Sequence, residues 1–332
     1  MPKGAEWRAK SERIEPKDVD RPGSGYCHAV RLTPRYGQPG PLTIDVVTGD
    51  PALPLIRQRR RLAETLATLE PTQWTAPSRC ELWSVQDVVA HLSDTNGFWT
   101  ASMAAGLKGS PTKMLATFDP VATPEALVDQ RRQLSPEDVL TEYADGLGLL
   151  AEVVNSITGD EWSLLAEAPP GHIEMQAVAL HALWDSWTHE RDGLLPLGLK
   201  QPFEPDEVRG CLVYAAAVGP AFLAASGETR RGIIGVEATA PEASFVVNVG
   251  PTSEVRERRP DDVVAVELRG DAVELIEGLT FRVPLNVETP SEYRWLLGGL
   301  ACVFDHAEGG ELCTPAPRRI ESPGRLRPAA PC

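Results

Sequence analysis

The chain has no CxxC pair; its six cysteines stand at 27, 80, 211, 302, 313 and 332. That spacing excludes a zinc ribbon and a thioredoxin-like motif. The first fifty residues lack the apolar h-region of a signal peptide, so the scattered cysteines are expected to be reduced thiols in a cytoplasmic protein. No apolar run approaches the roughly 20 residues that cross a bilayer, and no membrane span is expected. No internal repeat is present. Positive charge is also short: 32 Lys and Arg face 47 Asp and Glu, a net charge of -15. Both ends are slightly basic, so the acidity concentrates in residues 51–312. A body of that sign repels a phosphate backbone, which argues against nucleic acid as a partner. The one basic run, Arg57, Arg59, Arg60 and Arg61, reads as a solvated helix face.

With 332 residues, 42% of them hydrophobic, the chain has material for about two cored domains. Residues 1–50 mix Gly, Pro and charge and predict a poorly ordered extension, with a short strand at Leu42 to Val47. Residues 51–198 are helical in pattern. Leu62, Leu66 and Leu69 recur at helical spacing until Pro71. Ser84-Val85-Gln86-Asp87 is a capping box that opens a helix to about Gly106. Ser135-Pro136 starts another, reaching about Ile157. A fourth runs from about Glu174 to Arg191. Four long helices joined by loops predict an antiparallel four-helix bundle, with the 107–134 connection across one end.

Composition changes near Leu195. Residues 199–312 predict a smaller α+β domain. Its pieces are a helix from Pro205 to Ser226, strands at Gly232–Ala238, Ser244–Val249 and Val263–Leu268, and helices at Asp271–Leu279 and Ser291–Phe304. Residues 313–332 are rich in Pro and Arg and predict a disordered tail.

The fourth helix carries the chemistry. In His181-Ala-Leu-Trp-Asp185-Ser-Trp-Thr-His189-Glu-Arg-Asp192, Asp185 and His189 align with Met175, Val178 and Ala182 inside an apolar stripe. A carboxylate in such a place is paired or coordinates a metal. The i, i+4 spacing lets both side chains reach one point. His91, at the border of the apolar stripe in Val88-Val89-Ala90-His91-Leu92, completes a set of two imidazoles and one carboxylate. Three protein ligands leave a fourth position open, the pattern of catalytic zinc sites. Zinc is the expected divalent ion, although iron and nickel accept the same donors. A hydrogen-bonded Asp–His pair in a core is the plainer alternative. His181 reads as a structural histidine, and Asp192 as either a hydrogen-bond partner of His189 or a helix-end charge. Cys80 has no evident activating neighbour.

The stretch Trp74-Thr-Ala-Pro-Ser78-Arg-Cys80-Glu-Leu-Trp83-Ser-Val-Gln-Asp87-Val-Val-Ala-His91-Leu92 resembles the signature of the mycothiol-dependent maleylpyruvate isomerase family. Trp184-Asp185-Ser-Trp-Thr-His189-Glu-Arg-Asp192 is similar to the second signature of that family. The resemblance spans about residues 55–195 and implies a DinB-like four-helix bundle. Over about 205–305 a looser resemblance implies a sterol carrier protein-like domain. It rests on Gly235-Val-Glu237, Phe245 to Val249, and Val263 through Arg269-Gly270-Asp271 to Phe281-Arg282.

The resemblance implies that His91, Asp185 and His189 hold the metal and that mycothiol is the thiol cosubstrate. It further implies that an arginine of the second domain, Arg269 or Arg282, reaches the site to hold a substrate carboxylate. The implied reaction is isomerisation or S-transfer on a small electrophile such as maleylpyruvate. The thiolate adds beside the double bond, the bond rotates, and the thiolate is expelled. Two departures stand out: the family's usual carboxylate is Glu where this chain has Asp185, and its Pro-Gly before the Trp is here Glu81-Leu82. A DinB-like hydrolase and a non-catalytic ligand-binding protein are the alternative readings. The oligomeric state is left open.

Overall fold

A computed structural model describes residues 33–46 and 49–300. The expected tail at 313–332 and most of the expected N-terminal extension lie outside these residues. The elements in chain order begin with β1 (Leu42–Ile44), α1 (Ala52–Leu66), α2 (Pro71–Trp74), α3 (Val85–Leu107), α4 (Ala122–Asp129) and α5 (Pro136–Ser156). Next come β2 (Leu165–Ala168), β3 (Gly171–Glu174), α6 (Met175–Leu194) and α7 (Pro205–Ala225). β4 (Gly232–Thr239), β5 (Glu242–Val249), β6 (Ser253–Arg256), β7 (Val266–Gly270) and α8 (Ala272–Leu279) follow. The segment expected to be helical from Ser291 is a 3-10 turn over Ser291–Leu297, and its remainder past residue 300 lies outside the described residues.

Local chemistry starts the long helices where the sequence predicts. The Ser84 hydroxyl accepts from the Asp87 amide, and the Asp87 carboxylate accepts from the Ser84 amide, so two otherwise orphan donors at the start of α3 are satisfied. At the start of α5 the Ser135 hydroxyl accepts from the Asp138 amide, with Pro136 in the first turn. α1 packs on α5 and α6, and α3 packs on the same two helices, so the four close a ring of contacts. Val88, Leu92, Leu150, Val154, Val178 and Leu183 fill its interior.

Of the basic run only Arg60 is exposed, so the run as a whole is not a solvated face. Arg59 is fully buried, and its guanidinium donates to the Ala182 carbonyl. Arg61 binds Glu190 of α6 and Glu207 of α7, and Arg57 binds Asp206 and Glu207. The buried carboxylates Glu190 and Glu207, on two later helices, draw Arg57 and Arg61 inward. The expectation that no apolar run approaches membrane-spanning length also needs correction. α7 is long and apolar enough to cross a bilayer by composition, yet 89% of its most apolar window is buried in the protein. It packs between α6 on one side and α8, β5 and β6 on the other, which accounts for its composition.

The second half carries a five-stranded mixed sheet of order β1-β6-β5-β4-β7. β4–β5 and β5–β6 are antiparallel; β4–β7 and β1–β6 are parallel. The strand expected near Leu42 is therefore an edge of this sheet, with Leu42 opposite Ser253. β2 and β3 form a separate hairpin against α3 and α6.

Candidate metal centre

His91 on α3 faces Asp185 and His189, one turn apart on α6, and their ligand atoms lie within 4.8 Å of one another. Asp185 Oδ1 stands 4.0 Å from His91 Nε2 and 3.7 Å from His189 Nε2. Both separations are too long for good hydrogen bonds. They are close to the ~3.4 Å that separates donor atoms around a tetrahedral zinc with bonds of about 2.1 Å. The second carboxylate oxygen, Asp185 Oδ2, is buried without a hydrogen-bond partner. Such an orphan calls for an unseen ligand or cation. The three side chains are only 14–15% exposed, so the group is sheltered yet reachable. Burial works against the Asp185 charge, but the His91 and His189 rings prevail and hold its carboxyl below the usual range.

The other nitrogen of His189 is held from behind. Nδ1 lies 3.1 Å from Asp192 Oδ2, the contact the sequence offered as one of two readings of Asp192. Arg79 Nε donates to Asp192 Oδ1 at 3.0 Å. Arg282 grips the same carboxylate through Nε (3.1 Å) and Nη2 (2.6 Å), while its Nη1 donates to the Thr280 carbonyl. Burial again opposes the charge, but His189 and Arg282 keep Asp192 far below the ordinary carboxylate range. Arg79 and Arg191 also bind Glu277 of α8, which fastens the loop before α3 and the end of α6 to the second half.

Cys80, His189 and Asp192 form another three-donor group, with the Cys80 thiol 3.3 Å from Asp192 and 3.6 Å from His189 Nδ1. Both Asp192 oxygens already accept from arginines, so this group orients His189 and is the poorer candidate for an ion. Cys80 therefore does have polar neighbours, which its place in the sequence did not disclose.

Of the two arginines considered, the fold brings Arg282 to the back of the centre. Arg269, on β7, is 71% exposed and its ion pair is with Glu267 at 3.7 Å. Arg79 and Glu277 were not foreseen. Arg79 adjoins Cys80 inside the first signature, a position that could have drawn attention to it. His181, read from the sequence as a structural histidine, is almost fully enclosed, with Nδ1 2.6 Å from the Tyr214 hydroxyl of α7.

The ring of four helices thus brings two imidazoles and one carboxylate together as a candidate three-donor N/O centre. Residues 55–192 match the model of the mycothiol maleylpyruvate isomerase N-terminal domain. Crystal structures of the mycothiol-dependent maleylpyruvate isomerase and of a histidine-to-alanine mutant of it share the fold. Each gives a TM-score of 0.52 at 14% identity, over 74% of this chain and 95% of the other. No curated protein matches the chain in sequence.

Proposed function

We propose that this protein is a metal-dependent enzyme that uses mycothiol to isomerise, or transfer sulfur to, a small electrophile. The observation that carries the reading is the triad of His91, Asp185 and His189 around an orphaned carboxylate oxygen. The match of residues 55–192 to that family model supports mycothiol as the thiol. In this reading α1, α3, α5 and α6 form a DinB-like four-helix bundle within a domain spanning 51–198. Residues 199–312 form a sterol carrier protein-like domain, with 1–50 and 313–332 as flanking segments.

His91, Asp185 and His189 would hold the divalent ion, with zinc the best match to two imidazoles and one carboxylate. Such an ion acidifies a bound thiol, so that a thiolate is available at neutral pH. The chain's own residues do the rest. Asp192 fixes the His189 ring so that Nε2 faces the triad. Arg79 and Arg282 hold Asp192 in turn. With all three guanidinium nitrogens engaged, Arg282 serves in this arrangement as a positioning residue and has no free fork for a substrate carboxylate. The neighbouring Trp83 ring packs against His91, 5.2 Å between ring centres.

Plasma mass spectrometry of the purified protein tests the reading. About one zinc per chain is expected, lost in His189→Ala, together with mycothiol-dependent turnover of maleylpyruvate or a related electrophile. A protein that neither contains zinc nor takes it up would reduce the triad to core structure.

A further inference from the structure

Asp192, which holds Nδ1 of His189, is reached from the second half of the chain by two routes. Arg282 binds it directly, and Glu277 of α8 reaches it through Arg79. Every link of the second route is a hydrogen bond. Glu277 Oε2 accepts from Arg79 Nη1 at 2.7 Å, and Oε1 accepts from Arg79 Nη2 at 3.2 Å. Arg79 Nε donates to Asp192 Oδ1 at 3.0 Å, and Asp192 Oδ2 meets His189 Nδ1 at 3.1 Å. The Arg79 amide also donates to the Asp192 carbonyl at 2.9 Å, so the main chain seats this arginine at the end of α6.

Asp192 is fully buried and Glu277 nearly so. Arg191, Glu277, Arg79, Asp192 and Arg282 alternate in charge, so each carboxylate lies between two cations. Arg191 meets Glu277 at 2.6 Å and otherwise lies over the Trp187 ring, 4.7 Å away. Among the described residues its side chain donates to no atom of Asp192. Asp192 meets the Nε side of Arg79 through Oδ1 alone, with Nη2 also at 3.0 Å. Glu277 holds the opposite edge of that guanidinium. Released from Glu277, Arg79 would be free to close on both Asp192 oxygens as a two-pronged fork. It would then compete with His189 for Oδ2, and the imidazole would lose its fixed acceptor.

We propose that Glu277 is a positioning residue for the candidate metal centre: through Arg79 and Asp192 it sets the orientation of His189 from the second half of the chain. A ring held at one nitrogen offers the other to a metal in a set direction. The inference deepens the metal-dependent reading and rests on it for that purpose. Linkage makes the effect mutual, so an ion that orders His189 also tightens α8 onto the end of α6.

The test is zinc affinity, measured with a chromophoric chelator in wild type, Glu277→Gln, Arg79→Lys and Arg191→Met. Beside it, the His189 ring-nitrogen resonances are followed in the zinc-free proteins, assigned by their loss in His189→Ala. Glu277→Gln should weaken zinc about tenfold, the low end for a group that orients a ligand. Arg79→Lys keeps the charge but not the fork that spans two carboxylates, and should weaken zinc as much. Asp192→Asn combined with Glu277→Gln should bind no more weakly than Asp192→Asn alone, because both act along one path. Arg191→Met loses a bond to the same carboxylate without touching that path. It should lower stability to urea and leave zinc affinity as in wild type. Equal weakening in Arg191→Met, additive losses in the double variant, or wild-type affinity in Glu277→Gln would overturn the proposal. The ring signals separate the two readings. A wild type that takes up no zinc, with His189 signals that still shift in Glu277→Gln, sinks the metal reading and keeps the positioning. Normal zinc uptake, with unmoved signals and unchanged affinity in Glu277→Gln, sinks the positioning and keeps the metal reading.

Discussion

The Nδ1 atom of His189 lies 3.1 Å from Oδ2 of Asp192, and Nε2 of the same ring faces Asp185. A ring held at one nitrogen presents the other in a fixed direction, and such partners tune the affinity of a metal ligand. Asp192→Asn should therefore weaken zinc binding by about ten- to a hundredfold. Competition with a chromophoric chelator would measure it. Unchanged affinity would mean that Asp192 serves only the arginine cluster.

The two three-donor groups share His189 and make opposite predictions. Cys80→Ser should keep the wild-type zinc content, whereas His91→Ala should lose it. The reverse result would move the ion to the Cys80 side.

His181 gives a pH signature. Burial brings its folded pKa down to about 4 from the ordinary 6.5, so between these values the unfolded chain binds more protons than the folded one. The stabilisation from keeping His181 neutral is fully present above pH 6.5 and is lost as pH falls through 4. Its ceiling is about 3 kcal/mol. Urea titrations between pH 4.5 and 7.5 should show stability falling with pH, and a shallower fall in His181→Gln. Parallel curves for the two proteins would count against the burial argument.

Arg61 ties α1 to the buried carboxylates Glu190 and Glu207. Removing only the cation leaves two carboxylates facing each other in a poorly solvated place. Arg61→Met should cost about 3 kcal/mol or more in chemical denaturation. A loss below about 1 kcal/mol would show the cluster behaving like an exposed ion pair.

What the sequence disclosed was local or periodic. Ser84 and Ser135 announce helix starts because capping involves only the next few residues. His91, Asp185 and His189 were legible because helical spacing carries two of them to one point and sets the third on an apolar border. Arg59 and Arg61 were misread because their partners, the Ala182 carbonyl, Glu190 and Glu207, arrive from helices far along the chain. β6 was missed because four residues, Ser-Glu-Val-Arg, carry too little pattern to stand out from a loop. Sheet neighbours on both sides make it a strand. The choice between Arg269 and Arg282 depended on how α8 meets the end of α6, which no spacing encodes.

The parallel pairing of Leu42–Ile44 with Ser253–Val255 has a consequence for how the chain comes together. β1 is synthesised before the described helices, yet its partner strand appears only after α7 and the four strands β2 to β5. Closing so long a loop adds little to the free-energy cost, because that cost grows only with the logarithm of length. It does delay the event, since distant contacts are found late. The start of the described chain thus serves as a strap, joining the sheet to α6 and α7 through the buried Leu42 and Ile44.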